Sequence, residues 1–344
     1  MIDIQYTLDI LQKLCSTASP TGYTENIFKL LEEEFHKLEL PVYYTKKGAL
    51  YSFIEGSNKH IKKVVASHID TLGAMVKEIK ENGRLSFSMV GGYTANSVEC
   101  ENCLIHTASG RTVSGTIYTA KPSIHIHGDT STLPRNIEEM EIVPDVKASS
   151  VDELKKLGIE IGDFVSFDAR FRITESGFVK SRHLDDKAGV AITLGACKYM
   201  KDNNIIPEYS IQIFISNYEE VGHGACSGIS EDAEELLCID MGTPGTGQNT
   251  DEYSVSICAK DSSGPYDYRM RCKLVELAKK NSIDYRLDLY PKYSSDASAA
   301  LKAGLCIRTG LIGPGVYASH SYERTHSDSI KCTAELLVAY LQDQ

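Results

Sequence analysis

Glu219 and Glu220 stand side by side in NYEEVGHGA, directly after the apolar run IQIFIS. Two adjacent carboxylates at the end of a buried strand are costly unless a cation or a reaction needs them. Taken alone, the pair reads better as a polar loop after a strand. Four other segments share its form. His68 and Asp70 (SHID) follow KKVVA, and Asp240 (IDMG) follows ELLC. Asp185 and Asp186 (LDD) open the helix-like run AGVAITLGACKYM, and His320 (SHSYERTH) follows LCIRTGLIGPG. Each candidate sits where an apolar segment begins or ends, the place at which open α/β sheets gather their sites. Two imidazoles and several carboxylates form a donor set suited to divalent zinc, cobalt or manganese.

Local spacing adds detail. His68 and Asp70 are two apart, so on a strand both side chains share a face. That suits a metal-bound imidazole whose second nitrogen is held by a carboxylate. Neighbouring Glu219 and Glu220 point to opposite sides of a strand, so one can face a cation while the other faces water. His183, two residues before Asp185, reads as a supporting group, a substrate-side group or a loop residue. His125 and His127 repeat the His68–Asp70 spacing without acidic companions and read as structural. Cys100 and Cys103 form a lone CxxC; a zinc ribbon needs a second pair, and none exists. No GxSxG occurs, and Ser319-His320 are chain neighbours, a poor basis for nucleophilic catalysis.

The elements that must position these residues follow from length and pattern. A chain of 344 residues exceeds the usual single core, so two domains or a large insertion are expected. TENIFKLLEEEFHKL places Ile27, Leu30, Leu31, Phe35 and Leu38 on one helical face, with Thr24 as N-cap. From about Met75 to Asp163 the texture turns to short β runs with Gly and Asn turns and one helix, VDELKK. Elsewhere helices and strands alternate, which predicts an α/β three-layer sandwich around a mixed central sheet. The expected organisation is a catalytic domain of residues 1–76 and 164–344 with a β-rich insertion at 77–163. A formal charge of −11 and no Lys/Arg block argue against nucleic acid, and no apolar stretch is long enough for a membrane span. MIDIQYTLDILQKL reads as an amphipathic helix, not an export signal, because Asp3 and Asp9 interrupt it. The ten cysteines then read as reduced thiols and the chain as cytoplasmic.

The ordered set HxD, LDDKAG, EEVG, IDMG and the late HS…E resembles the di-metal tetrahedral aminopeptidases, also called deblocking or glutamyl aminopeptidases, some of which are labelled endoglucanases. The resemblance covers nearly the whole chain. It implies a zinc-peptidase-like catalytic domain with an inserted small β-barrel. It also implies two divalent metal ions per subunit, zinc foremost, with cobalt or manganese as alternatives. Asp185 would bridge the metals, His68 and Asp240 would complete one, and Glu220 and His320 the other. Glu219 would be the general base for an attacking water, Asp70 would orient His68, and the Asp185–Asp186 peptide would be cis. The implied partner is a peptide cut at its N-terminus, in a homo-oligomer that is a tetrahedral dodecamer or, failing that, a dimer. Departures from the family pattern are Thr71 in place of an acid, Tyr322 after HS, and His223 within EEVGHGA. His326 is an alternative last ligand. The other activities to weigh are a deacylase acting on a blocked or unusual dipeptide and, further off, an endoglucanase.

Overall fold

The computed structural model describes residues 2–343. Its central sheet runs in the order Tyr43–Tyr44, Leu50–Ile54, Tyr209–Ser216, Asn58–His68, Glu235–Ile239, Arg308–Pro314, Val255–Asp261, Gly264–Pro265. Tyr285–Leu289 pairs separately with Val255–Asp261. The central strands Tyr209–Ser216, Asn58–His68, Glu235–Ile239 and Arg308–Pro314 are mutually parallel, and antiparallel pairs flank them. Such strands are covered on both faces and therefore read as near-continuous apolar runs.

Alternate residues serve the two layers of helices. Val65, Ile213, Leu237 and Ile239 pack in one core with helices Ile4–Cys15, Leu184–Asp202 and Ser327–Gln342. Val64, Ala66, Phe214, Leu236 and Cys238 face the other side, where Ala297 and Ala300 of helix Asp296–Lys302 close the second core. This is the expected three-layer sandwich around a mixed sheet. Helix Glu25–Lys37 begins after Thr24 as read, but the Thr24 hydroxyl does not cap it; it accepts from Asn217 Nδ2 at 2.9 Å.

The insertion is a closed six-stranded barrel in the cyclic order Gly73–Ile79, Leu85–Val90, Met140–Pro144, Thr112–Thr119, Asn102–His106, Phe164–Phe167. Val76, Leu85, Phe87, Ile105, Ile117, Ile142 and Val165 fill its own core. Its first and last strands extend outside the 77–163 window because the chain passes from sheet to barrel without a linker, so composition gives no signal there. His125 lies on an exposed turn with no strand around it. A three-stranded sheet was not anticipated: Arg172–Ile173, Phe178–Ser181 and Glu323–His326, in that order. These runs are short and polar, below what periodicity can detect. The sheet matters because Ser181 pairs with Glu323, bringing the approach to Asp185 beside the segment that carries His320.

The sheet is tightest where it meets the candidate site. The Asp240 amide donates to the Ile312 carbonyl, and a Cβ on Gly313 would lie 1.2 Å from the Asp240 carbonyl oxygen. Gly313→Ala is therefore expected to lower folding stability by about 1–3 kcal/mol or more, the usual range for overpacking. Denaturant unfolding of the purified variant measures this; a midpoint equal to that of the parent would contradict the close approach.

Candidate metal centre

Three parallel neighbours end on the same edge of the sheet, and each delivers a candidate there. His68 is the last residue of Asn58–His68, Asp240 follows Glu235–Ile239, and Glu219 and Glu220 follow Tyr209–Ser216 after two residues. Asp185 enters from the kinked start of helix Leu184–Asp202, where the Asp185–Asp186 peptide is cis. His320 arrives on the loop between Arg308–Pro314 and Glu323–His326.

Two donor trios result. The ligand atoms of His68, Asp185 and Asp240 lie within 4.8 Å of one another, and so do those of Asp185, Glu220 and His320. Asp185 belongs to both. Its Oδ1 faces His68 Nε2 at 3.1 Å and its Oδ2 faces His320 Nε2 at 3.3 Å. Glu220 Oε2 is 3.6 Å from His320 Nε2, and Glu219 Oε2 is 3.7 Å from His68 Nε2. His326 is not in this group: its ring faces the Ser176 carbonyl and the Asp328 amide.

The histidine tautomers fit metal binding. His68 Nδ1 lies 3.0 Å from the Asp70 carbonyl oxygen, and His320 Nδ1 contacts the Gly92 carbonyl. A carbonyl only accepts, so each Nδ1 carries the proton and each Nε2 is left to face the carboxylates. The expected Asp70 arrangement is thus altered. The Asp70 carboxylate stands 3.8 Å from His68 Nδ1, beyond hydrogen-bond range, since Asp70 lies past the strand's end at His68. Instead that carboxylate accepts from the backbone amides of Glu219 and Glu220 at 3.2 and 3.3 Å, and from the Thr21 hydroxyl at 2.7 Å. The glutamate pair is likewise on a turn closed by Gly222 N–H to Glu219 C=O, not on a strand. Their separate directions come from that turn and from the Asp70 clamp.

Other carboxylates hold the frame in the same way. Asp186 accepts from the amides of His68 and Gly189, at 3.2 and 3.0 Å. Asp296 accepts from the Ala225 amide at 2.7 Å and from the Ser216 hydroxyl. Glu323 accepts from Leu184, Asp185 and His320 amides. Sequence reading passed over the roles of Glu323, Asp296 and Gly92. Glu323 lies within the recognised HS…E, so a signal existed; Gly92 acts through its backbone and leaves none.

Without cations this much buried charge is uncomfortable. Burial, with the Asp185 charge adding to it, pushes the Glu220 carboxyl up to about 8 and Asp240 up to about 7. Burial also raises Glu219 well above the carboxylate range, with Asp240, Asp296 and Glu220 contributing, while the His68 charge opposes. For His320 burial disfavours the imidazolium, but the Asp185 hydrogen bond and the Glu220 charge outweigh it and raise the ring to about 10. His68 moves up for the same kind of reason: burial resists, and Glu219 and Asp185 prevail. Only Asp185 moves down, held ionised by both histidines against its burial. Such a donor set attracts divalent cations, which supply the missing positive charge.

The remaining candidates lie around this core. His183 is buried in a left-handed backbone conformation, its ring kept neutral by burial and by Lys187 and Arg182. Thr71 is buried and its hydroxyl donates to the Leu72 carbonyl, Tyr322 donates to the Arg170 carbonyl at 2.9 Å, and His223 stacks on Tyr218. Cys100 is exposed and Cys103 buried, both free thiols.

Comparison with known proteins shows the family and the fold. The profile of the M42 glutamyl aminopeptidase family matches residues 48–336. YhfE of Bacillus subtilis (strain 168), a protein named as an aminopeptidase, is 47% identical over 342 residues, spanning 99% of each chain. The TET1 peptidase of Pyrococcus horikoshii, described as assembling into a tetrahedron or a large octahedral shell, superposes with TM-score 0.86 at 22% identity, covering 98% of this chain and 100% of that one. An aminopeptidase of the archaeon Desulfurococcus kamchatkensis gives TM-score 0.89 at 22% identity over 99% and 96%. With a family match over most of its length and a near-full-length relative at this identity, the chain belongs to the M42 glutamyl aminopeptidase family of metal-dependent peptide hydrolases.

Proposed function

We propose that the two trios hold two divalent metal ions and that the protein removes N-terminal residues from short peptides. The observation that carries this reading is the Asp185 carboxylate, which turns one oxygen to His68 and the other to His320. His68, Asp240 and Asp185 would hold one ion; Glu220, His320 and Asp185 the other. Zinc suits these nitrogen and oxygen donors best, and cobalt or manganese would also be accepted. Bound there, the metals would lower the pKa of a coordinated water, polarise the scissile carbonyl and hold the free α-amine of the peptide.

The protein's own residues do the rest. Glu219 is the side chain left over: partly buried beside the first trio, it belongs to neither. It takes the proton of the attacking water and passes it to the departing amine. Its raised proton affinity, set mainly by burial, suits a group that must hold that proton between the two steps. Asp70 fixes the Glu219 and Glu220 amides, and its carbonyl keeps His68 Nε2 directed inward. A glycoside hydrolase would need two carboxylates facing each other across a sugar. Here the two glutamates share one turn, and the histidines would have no task.

Two further elements belong to the proposal. The chain works as a homo-oligomer in this reading, which the shells described for the TET1 peptidase support, and the barrel is assigned as the assembling element. Work in the cytoplasm is favoured by acidity and free thiols, and among the described residues no helix is long and apolar enough to cross a membrane.

The glutamates can be separated experimentally. Glu219→Gln should retain metal while turnover of aminoacyl-nitroanilides falls by roughly 10²–10⁴-fold, the loss expected for general acid–base catalysis. Glu220→Gln should weaken metal binding, with activity partly restored by added metal. Metal content and rates on both variants decide it, and the opposite pattern would reverse the roles. Acetylated peptides and cellulose in the same assay test the deacylase and endoglucanase readings.

Proton release is a second test. In the metal-free protein burial keeps Glu220 and Asp240 protonated to about pH 8 and 7, and the neighbouring carboxylates keep His68 and His320 protonated. A metal needs all four deprotonated, so affinity rises with pH and falls on acidification, by about tenfold per pH unit for each proton released. Zinc titrations from about pH 6 to about pH 8 should show this slope together with proton release. An affinity independent of pH would refute it.

A further inference from the structure

We infer that Glu323 is a positioning residue that sets the spacing of the two donor trios by holding the backbone of Asp185 and of His320 at once. The inference rests on the proposed metal reading and assigns a role to a residue outside the ligand set. Glu323 is 2% exposed. Its Oε2 accepts from the amides of Leu184 and Asp185, at 2.6 and 3.2 Å, and its Oε1 accepts from the His320 amide at 3.0 Å. One carboxylate thus ties the shared ligand to the most exposed ligand, whose ring is 36% accessible.

Each segment needs such a tie. His320 and Ala318 both have left-handed backbone, at φ 65° and 59°, and His183 just before the Leu184–Asp185 corner has φ 68°. Non-glycine residues hold that conformation only where their surroundings fix it. Leu184 and Asp185 open their helix, and amides in a first turn have no intrahelical acceptor. Pairing of Ser181 with Glu323 in the three-stranded sheet sets the height from which the side chain reaches both segments.

The chemistry calls for a carboxylate here. Three N–H donors converge on one side chain. Burial and the Asp185 charge push its carboxyl up to about 8, while the amides favour the ionised form, which alone offers acceptors on both oxygens. A glutamine offers one accepting oxygen, and its NH₂ would oppose an N–H at the other arm. An aspartate keeps both acceptors but is one methylene shorter and cannot reach both segments. Either change should leave the donors present but let their separation drift, which weakens metal binding.

The test strips the full-length protein of metal and titrates parent, Glu323→Gln and Glu323→Asp with zinc against a chromophoric chelator. Unfolding midpoints of the metal-free forms are measured alongside. The parent should bind two ions. Each variant should still unfold cooperatively without metal, at a midpoint lowered by the lost amide bonds, while one ion binds about 10–100-fold more weakly, as for other changes to groups that orient ligands. In the cobalt-loaded forms the visible spectrum of that weaker site should change. A folded variant that binds both ions with parental affinity overturns the role of Glu323. A parent that binds fewer than two ions overturns the metal reading beneath it.

Discussion

Carboxylates taken out of water need positive charge near them, and this molecule gathers more of them than its own side chains neutralise. Asp185, Glu219, Glu220 and Asp240 converge on His68 and His320 at the carboxyl ends of three parallel strands. Burial drives most of these groups toward their protonated forms, while Asp185 stays ionised between two histidines. Divalent cations resolve the conflict, and their presence would turn a destabilising cluster into a centre able to activate water. The parallel sheet, the kinked helix start and the barrel loop at Gly92 all serve to bring these groups to one place.

The support around the centre follows a consistent scheme. Side chains assigned to metal use their oxygens and ring nitrogens inward, while a separate set of carboxylates grips the backbone of the segments that carry them. Asp70 holds Glu219 and Glu220, Asp186 holds His68, and Glu323 holds Asp185 and His320. Backbone amides are fixed points, so gripping them places a ligand without competing for its donor atom. The barrel takes part as well, since the Gly92 carbonyl receives the His320 ring proton. A Cβ on Gly91 would lie 3.6 Å from both Glu220 Cβ and the Glu220 carbonyl oxygen, so this loop lies against the glutamate turn.

Much of this was legible in the sequence because the information was local. Apolar runs ending in His68, Asp240 or Glu219 announce parallel strands with a site at their ends, and five ordered motifs identify the family. The parts that were not legible depend on non-local geometry. Strand alternation placed Asp70 beside the His68 ring, yet the strand ends at His68 and the carboxylate turns to the glutamate loop. The same rule placed Glu219 and Glu220 on a strand, where the chain instead forms a turn. No periodicity could reveal the small sheet that brings Glu323 to Asp185, since four-residue polar strands carry almost no signal. The Gly92 carbonyl is invisible to any reading of side chains.

The central claim is that one carboxylate, Asp185, is shared by two metal ions. Crystals of the full-length protein soaked in zinc or cobalt, with diffraction collected at the metal absorption edge, test it most directly. Two anomalous peaks per chain are expected on either side of Asp185, one beside His68 and Asp240 and the other beside Glu220 and His320. A single peak, or two peaks of which only one contacts Asp185, would contradict it.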